Sequence, residues 1–239
     1  MAANINIGTL ISGGGTNLQA IIDACKDNRI TGDIVFTGSD TPDVKGLERA
    51  QTAGIDTFVV DYARIIRACR SGIADADLPE DFNLAEIMEK QNLVDPADEN
   101  AVFFLKSRAI AEKQLLDKIL PCDMDLLVLA GFMRVFTPYF IDRINTVPKK
   151  YRIMNIHPAL LPAFPGTDGY GDTFRYGCKV GGCTVHFIDY GEDTGPIIGQ
   201  KAFEIADTDS LDDVKRKGLE KEWELYPACI QKFADGVLS

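Results

Sequence analysis

The side chains best suited to chemistry lie in two short runs, and each run carries one of the only two histidines in the chain. The first run, Tyr-Arg-Ile-Met-Asn-Ile-His at 151–157, predicts a strand that ends at Pro158, because proline has no N–H for the next rung of a sheet. Since side chains alternate along a strand, Asn155 and His157 project from one face at its carboxyl end. Open α/β sheets bind their ligands at that edge.

The second run, at 182–188, alternates in the same way and places Thr184 and His186 on one face. Asp193 follows in Gly-Glu-Asp-Thr-Gly-Pro, a glycine-flanked turn that can fold back over strand ends. An amide, an imidazole and a carboxylate together could polarise a carbonyl group and move a proton. Taken one at a time, the same residues have ordinary alternatives: a core histidine, a turn-forming asparagine and a solvated loop acid.

Four motifs together resemble the phosphoribosylglycinamide formyltransferases, folate-dependent enzymes of purine synthesis. The motifs are Asn-Ile-His-Pro-Ala-Leu-Leu-Pro at 155–162, Thr-Val-His-Phe at 184–187 with Asp-Thr-Gly-Pro at 193–196, Ala-Gly-Phe-Met-Arg at 130–134, and Ser-Gly-Gly-Gly-Thr-Asn-Leu-Gln-Ala at 12–20. The Asn-x-His-Pro and Asp-x-Gly-Pro elements are specific for folate-dependent formyl transfer in general. The glycine loop and the ending of the chain narrow the resemblance to this family, and it covers most of the chain outside about 62–102.

The resemblance implies transfer of a formyl group from N10 of 10-formyltetrahydrofolate to the amine of glycinamide ribonucleotide. It assigns catalysis to Asn155, His157 and Asp193, with Asn155 and a protonated His157 stabilising the oxyanion and Asp193 holding a water that carries the proton. Thr184 and His186 would help to place Asp193 or that water. The implied binding residues are Gly15, Thr16 and Asn17 for the substrate phosphate, Glu222 for the ribose, Arg108 for the folate glutamate tail, and Met133, Arg134 and Val135 for the pterin.

The glycine loop at 12–17 lies between a predicted strand and a predicted helix, where backbone N–H groups at a helix N-terminus favour an anion. It matches neither common phosphate motif. Leu18 stands where a dinucleotide fingerprint needs glycine, and the Lys-Ser/Thr pair of a P-loop is absent. A purely structural turn is the alternative for this loop. For Arg108 the alternative is a solvated surface arginine.

The remaining patterns predict a single α/β domain over 1–239, with a mainly parallel, twisted, Rossmann-like sheet and helices on both faces. The predicted strands are 4–10, 34–37, 56–61, 126–130, 151–157, 182–188 and 197–205. The predicted helices are 18–26, 44–53, 84–90, 100–120 and 210–233, the last beginning with Ser-Leu-Asp-Asp.

Two segments depart from the family pattern. Residues at about 62–99 form an insertion with an acidic run at 73–81, which predicts a surface excursion, with an interface or a lid as alternatives. The segment 167–173 contains no histidine, although the family has a histidine-bearing loop there. We therefore expect the details of that loop to differ while the chemistry is retained.

Composition narrows the function classes. The 239 residues are 46% hydrophobic and 26% charged, as in ordinary globular proteins, and the net charge of −11 argues against nucleic acid as a partner. No run approaches the ~18 apolar residues of a membrane span, and residues 1–4 lack a basic signal region, so we expect a cytoplasmic protein without membrane contact. Six cysteines without a Cys-x-x-Cys pair predict neither metal nor disulfide. We expect a monomer or a homodimer that binds two small molecules.

Other functions fit less of the sequence. A methionyl-tRNA formyltransferase would need a carboxyl-terminal RNA-binding extension and a basic surface, and a formyltetrahydrofolate hydrolase would need an amino-terminal regulatory domain. Another folate-dependent formyltransferase remains an alternative. A nucleotide-binding module without catalysis would explain the glycine loop but would leave Asn155, His157 and Asp193 without a role.

Overall fold

The computed structural model describes residues 4–147 and 150–238, so the expectation about the amino terminus rests partly on residues outside the described ones. One sheet of seven strands runs through it, in the order β3-β2-β1-β4-β5-β6-β7. The strands are β1 Ile5–Ile11, β2 Gly32–Ser39, β3 Thr57–Val59, β4 Leu126–Leu129, β5 Ile153–His157, β6 Val180–Phe187 and β7 Ile197–Glu204. The first five strands are parallel, while β6 is antiparallel to both β5 and β7. The predicted mainly parallel α/β sheet is confirmed.

Eight α-helices cover the two faces of the sheet in the described part of the chain. They are α1 Thr16–Lys26, α2 Lys45–Thr52, α3 Tyr62–Cys69, α4 Leu84–Lys90, α5 Ala101–Ile119, α6 Pro138–Ile144, α7 Gly169–Arg175 and α8 Leu211–Ala234, with a 3-10 turn at Asp75–Asp77. Helices α1, α2 and α8 contribute to one apolar core, and α3 to α6 contribute to the other. The helices α3, α6 and α7, each of seven or eight residues, were not predicted.

The long closing helix α8 begins where its sequence indicates. The Ser210 hydroxyl accepts a hydrogen bond from the Asp213 N–H at 3.2 Å, and the Asp213 carboxylate accepts from the Ser210 N–H at 3.0 Å. This reciprocal capping satisfies two donors that the helix cannot pair internally. Further along, the buried Tyr226 hydroxyl lies 3.0 Å from the Leu129 carbonyl and 2.9 Å from that of Met154. Helix α8 is thereby held against the ends of β4 and β5.

The strand order reverses beside β1, because the chain proceeds from β1 to β2 and β3 on one side and then returns to β4 on the other. The loops that leave β1 and β4 therefore separate at the carboxyl edge and leave a crevice, which is where such sheets bind ligands. Two hydrogen bonds join these loops: the Ser12 N–H donates to the Gly131 carbonyl at 2.9 Å, and the Met133 N–H donates to the Ser12 hydroxyl at 2.8 Å. These bonds fix the two loops relative to each other beside the crevice.

The segment 62–99 is more than a surface excursion. Helix α3 packs on α5, with Tyr62, Ile65 and Cys69 buried, and Ile87 of α4 is buried in the same core. The part between these helices, including the 3-10 turn, is largely exposed. The acidic composition of the segment suggested a solvated loop, but each of its two helices has an apolar side that the sheet's second core covers.

No helix in the described ranges is long and apolar enough to cross a membrane. Within residues 4–147 and 150–238, no group of three or more His, Cys, Asp or Glu side chains is arranged to hold a metal ion.

Candidate active site

Strand register brings the four polar residues of the two histidine-bearing runs together. In the antiparallel pairing of β5 with β6, Asn155 lies opposite His186, and His157 lies opposite Thr184. Residues that are directly opposite each other project from the same face of a sheet. The alternation predicted for each run separately therefore becomes one four-residue patch, at the edge where β5 ends.

His157 is held by two acceptors and is almost fully buried. Its Nδ1 lies 3.1 Å from Oδ2 of Asp193, and its Nε2 lies 2.8 Å from the carbonyl oxygen of Phe164. Both partners can only accept, so both ring nitrogens carry protons and the ring is an imidazolium. Burial alone would lower the pKa of His157, but the hydrogen bond and charge of Asp193 and the Phe164 carbonyl outweigh burial and raise it.

Asp193 is the anion of this pair. Its carboxylate accepts hydrogen bonds from His157 and from the Gly166 N–H at 2.9 Å. Burial raises the pKa of Asp193, but these donors outweigh it and hold the pKa well below its usual range. Asp193 is therefore an ionised carboxylate at neutral pH. Its backbone φ of 55° lies in the left-handed region, which is unusual for a residue with a side chain.

His186 orients the amide of Asn155. The His186 ring is fully buried and its Nδ1 donates to the Phe187 carbonyl at 2.8 Å, so Nε2 is the nitrogen that faces the site. Nδ2 of Asn155 lies 3.3 Å from that nitrogen and uses one of its two N–H groups there. The second N–H of Asn155 remains for a ligand in the cavity that Asn155 lines.

Thr184 was expected to help place Asp193 or the water, and its hydroxyl contacts the segment after β5 and Gln200. Its hydroxyl donates to the Ala159 carbonyl at 2.7 Å and accepts from the Leu161 N–H at 3.0 Å and from Nε2 of Gln200 at 3.0 Å. These bonds fix the segment that follows β5. Thr184 therefore contributes to the shape of the site through the backbone beyond His157.

A cavity of about 240 Å³ lies over this patch. Its lining includes Asn155, His157 and Asp193, together with Asn17, Glu222, Met133, Arg134 and Val135. Eight of the thirteen residues predicted for catalysis or binding therefore meet in one place. The other five, Gly15, Thr16, Arg108, Thr184 and His186, do not line this cavity. Three of these, Thr184, His186 and Gly15, act on the site through neighbouring groups.

The glycine loop has the geometry of an anion site. Gly15 precedes α1 with a φ of 68°, and a β-carbon there would approach the Cα of Gly46 to 2.7 Å, so a side chain is excluded both by conformation and by space. The first N–H groups of α1 have no partner within the helix and point out of its N-terminus. Arg49, which the sequence reasoning missed, donates from Nε to the Gly14 carbonyl at 2.9 Å. A cation thus lies beside the loop.

Glu222 is fixed by two side chains on opposite sides. Nδ2 of Asn17 donates to one carboxylate oxygen at 2.7 Å, and the Tyr170 hydroxyl donates to the other at 2.7 Å. Burial raises the pKa of Glu222 and these two donors partly counteract the rise. Tyr170 lies in the segment without histidine and was not predicted. Its ring packs on Gly218, one turn before Glu222, where a β-carbon would lie 2.1 Å from the ring.

Two arginines, Arg108 and Arg134, were predicted to bind the folate, and of these Arg134 lines the cavity. Nε of Arg134 is 2.5 Å from Oδ2 of the buried Asp40. Arg108 is not a solvated surface residue: its guanidinium lies 5.6 Å from the ring centre of Tyr62 and 5.2 Å from that of Phe104. Burial lowers the pKa of Arg108. Its buried Nε and Nη1 atoms have no hydrogen-bond partner among the described residues, as is also true of the Tyr62 hydroxyl.

Glu112, on the same helix as Arg108, was also not predicted. Its carboxylate is fully buried and accepts from the Thr137 N–H at 2.8 Å and from the Thr137 hydroxyl at 2.5 Å, at the start of α6. Burial raises the pKa of Glu112 to about 7, although the Thr137 donors and the charge of Arg108 counteract part of the rise. The spacing of four residues between Arg108 and Glu112 follows from the predicted helix, but the burial of Glu112 could not be predicted.

Comparison with known proteins gives consistent matches over nearly the whole chain. The formyl transferase family matches residues 5–230. The phosphoribosylglycinamide formyltransferase of Escherichia coli (strain K12) is 35% identical over 234 residues, which is 98% of this chain and 89% of that protein. The enzyme of the same name from Bacillus subtilis (strain 168) is 30% identical, over 92% of this chain and 90% of its own. Glycinamide ribonucleotide transformylase 1 from Symbiobacterium toebii superposes with a TM-score of 0.72 at 36% identity, covering 98% of this chain and 89% of that one.

Proposed function

The chain belongs to the formyl transferase family, and we propose that it transfers the formyl group of 10-formyltetrahydrofolate to the primary amine of glycinamide ribonucleotide. One observation carries this proposal. Asn155, His157 and Asp193 line a single cavity whose walls also include the residues assigned to the acceptor, Asn17 and Glu222, and those assigned to the donor, at 133–135. Relatives named for this reaction match nearly the full length of the chain, which supports the assignment.

The reaction begins when the neutral amine attacks the formyl carbon, so that negative charge develops on the formyl oxygen. The free N–H of Asn155 is the donor for that oxygen, and the imidazolium of His157 supplies positive charge next to it. Both nitrogens of His157 are already engaged, with Nε2 on the Phe164 carbonyl. His157 therefore acts through its charge rather than through a direct hydrogen bond to the formyl oxygen.

Asp193 is assigned to the transfer of a proton from the attacking amine to N10. The attacking amine must lose a proton, and N10 must gain one as its bond to the formyl carbon breaks and tetrahydrofolate leaves. The ionised carboxylate of Asp193 is oriented by His157 and Gly166, and it holds the water through which that proton passes. No covalent intermediate on the enzyme is required, because the amine itself is the nucleophile.

The acceptor side is built for a phosphorylated ribose. The phosphate is bound by the N–H groups at Gly15, Thr16 and Asn17, with the guanidinium of Arg49 behind the loop. Glu222 accepts from the ribose hydroxyls. The Oδ1 atom of Asn17 is buried and has no partner among the described residues, so it offers a further acceptor at the same place.

The donor side is built for a folate. Backbone groups at 133–135 lie on the cavity wall and bind the pterin, as the family resemblance implies. The glutamate tail carries carboxylates, and the unpaired N–H groups of Arg108 are donors that such an anion would satisfy. Arg134 already forms an ion pair with Asp40, so its charge is partly neutralised before a ligand binds.

Hydrolysis of 10-formyltetrahydrofolate is the competing reaction, since the same catalytic residues could activate water. The phosphate loop and Glu222 have no use when water is the only acceptor, and binding energy at those remote groups positions the amine. We expect tetrahydrofolate to form from 10-formyltetrahydrofolate only when glycinamide ribonucleotide is present. Steady formate release without it, at a similar rate, would identify a hydrolase.

A further inference from the structure

The turn that carries Asp193 needs support from outside. Asp193 itself has a left-handed φ of 55°, a conformation that costs free energy and persists only where the surroundings enforce it. Within the turn, the Asp189 carboxylate accepts from the Gly191 N–H at 3.1 Å and from the Thr194 hydroxyl at 2.6 Å. These bonds close the turn on itself but do not attach it to the rest of the protein.

Besides the bonds of Asp193 itself to His157 and Gly166, the end of the 62–99 segment attaches the turn. The Asn92 N–H donates to the Tyr190 carbonyl at 2.9 Å, and Asn92 pairs with Gly191 as a single parallel bridge. Two residues earlier, Nζ of Lys90 lies 2.8 Å from Oδ2 of Asp142 on α6. The Tyr190 hydroxyl donates to the other oxygen of Asp142. Asn92 thus binds Tyr190 directly through the backbone, whereas Lys90 is linked to the Tyr190 hydroxyl through the carboxylate of Asp142.

The supporting segment is itself rigid. Gln91 is buried, and its Oε1 accepts from the N–H groups of Leu93 and Val94 at 2.7 and 2.9 Å, while its Nε2 donates to the Val94 carbonyl at 2.9 Å. Ile87 of α4 anchors the preceding helix in the core. A rigid element that is bonded to a strained turn restricts the positions available to that turn.

We propose that Lys90 and Asn92 are positioning residues for catalysis, and that the insertion braces the turn that holds Asp193 against His157. This inference rests on the proposed function. Neither residue lines the catalytic cavity, so both act through Tyr190 and Asp142. The brace predicts that weakening it changes kcat, because Asp193 works in the transition state, and leaves the binding of both substrates nearly unchanged.

Lys90→Met tests the brace, and Asp81→Asn is its matched control. Asp81 lies in the same insertion and also binds α6, where Nη2 of Arg143 is 2.5 Å from its Oδ2, but it does not contact the turn. For Lys90→Met we expect kcat to fall about fivefold, with both KM values within about twofold of the wild type. Asp81→Asn should keep the wild-type kcat. Equal kcat values for the two variants, or equal losses, would refute a specific brace.

A second readout needs no substrate and therefore separates this inference from the proposed function. The chain has only two histidines, so the imidazole C–H signals of His157 can be followed by NMR titration. Burial lowers the pKa of His157, while Asp193, the Phe164 carbonyl and Glu222 raise it. A looser Asp193 should lower the pKa of His157 in Lys90→Met and not in Asp81→Asn.

Asn92→Pro removes the other half of the brace, the N–H that binds Tyr190. The preceding Gln91 already has φ −76° and ψ 148°, the extended conformation that a following proline requires. We expect the same pattern as for Lys90→Met, with lower kcat, retained KM values and a lower His157 pKa. An unchanged His157 titration in both Lys90→Met and Asn92→Pro would overturn the inference, whether or not the enzyme transfers a formyl group.

Discussion

The region around Glu222, the proposed acceptor end, and the region around Arg108, the proposed donor end, differ in how completely their polar groups are hydrogen-bonded. At the acceptor end, the one buried acid, Glu222, has both oxygens hydrogen-bonded, to Asn17 and to Tyr170. At the proposed donor end, Arg108 is half-buried, and its buried Nε and Nη1 atoms have no partner among the described residues. Buried polar groups are normally paired, so an unpaired buried cation indicates a place where a ligand completes the pairing. The polar groups at the proposed acceptor end are therefore already paired, whereas those of Arg108 at the proposed donor end are left for a ligand to pair.

The pair His157 and Asp193 should affect kcat rather than the binding of either substrate. Asp193→Asn removes the negative charge beside His157, which in the proposed mechanism orients the proton-carrying water. We expect kcat to fall at least ~100-fold while the KM values for both substrates stay within a few-fold. Steady-state kinetics with each substrate varied will measure this. A near-normal kcat would mean that Asp193 does not handle the proton.

The donor end should respond most to Arg108. Arg108→Met keeps the length of the side chain and removes the unpaired donors, so a charge-assisted bond to the folate glutamate is lost, at a cost of about 1.5–3 kcal/mol. We expect KM for 10-formyltetrahydrofolate to rise roughly 10- to 100-fold, with KM for glycinamide ribonucleotide unchanged.

A donor without its glutamate separates the two explanations of such a loss. Wild type and Arg108→Met should use that truncated donor equally well if Arg108 binds the glutamate carboxylates. If the variant is also poorer with the truncated donor, Arg108 supports the cavity wall and the contrast between the two ends is weaker than the structure indicates.

The acceptor end should respond to Tyr170. Tyr170→Phe keeps the ring on Gly218 and removes one of the two donors to Glu222, a loss of about 1 kcal/mol. We expect KM for glycinamide ribonucleotide to rise roughly fivefold, with KM for the folate unchanged. The exposed Tyr176 offers a matched control in Tyr176→Phe. A rise in both KM values would indicate that Tyr170 stabilises the whole cavity.

The smallest effect concerns pH and stability at the donor end. Burial raises the pKa of Glu112 from 4.5 to about 7, so the folded chain binds a proton that the unfolded chain releases. The contribution of Glu112 to stability is then fully present below pH 4.5 and is lost as pH rises through 7. Denaturant unfolding at pH 5 and pH 8 should show a larger decrease for wild type than for Glu112→Gln. Equal decreases would mean that the Thr137 bonds keep Glu112 ionised throughout.

Much of the site was predictable because the relevant signals are local. Alternation along 151–157 put Asn155 and His157 on one face, and Pro158 marked the end of the strand. The glycine loop before α1 and the capping residues of α8 were readable for the same reason: neighbours in sequence create the conformation that each motif needs. The parallel order of the first strands followed from the repeated strand–helix rhythm.

Only the tertiary structure decided which of these local pieces meet. The register of β5 against β6 places His157 opposite Thr184, and a shift of one residue would have turned the pair apart. The left-handed backbone of Asp193 depends on a turn whose support comes from Asn92, about a hundred residues earlier in the chain. The burial of Arg108 depends on the packing of α3 against α5, and the hydrogen bond from Tyr170 to Glu222 depends on α7 packing on α8. Each of these contacts joins segments that are distant in sequence, and no local pattern of residue types encodes the distance between them.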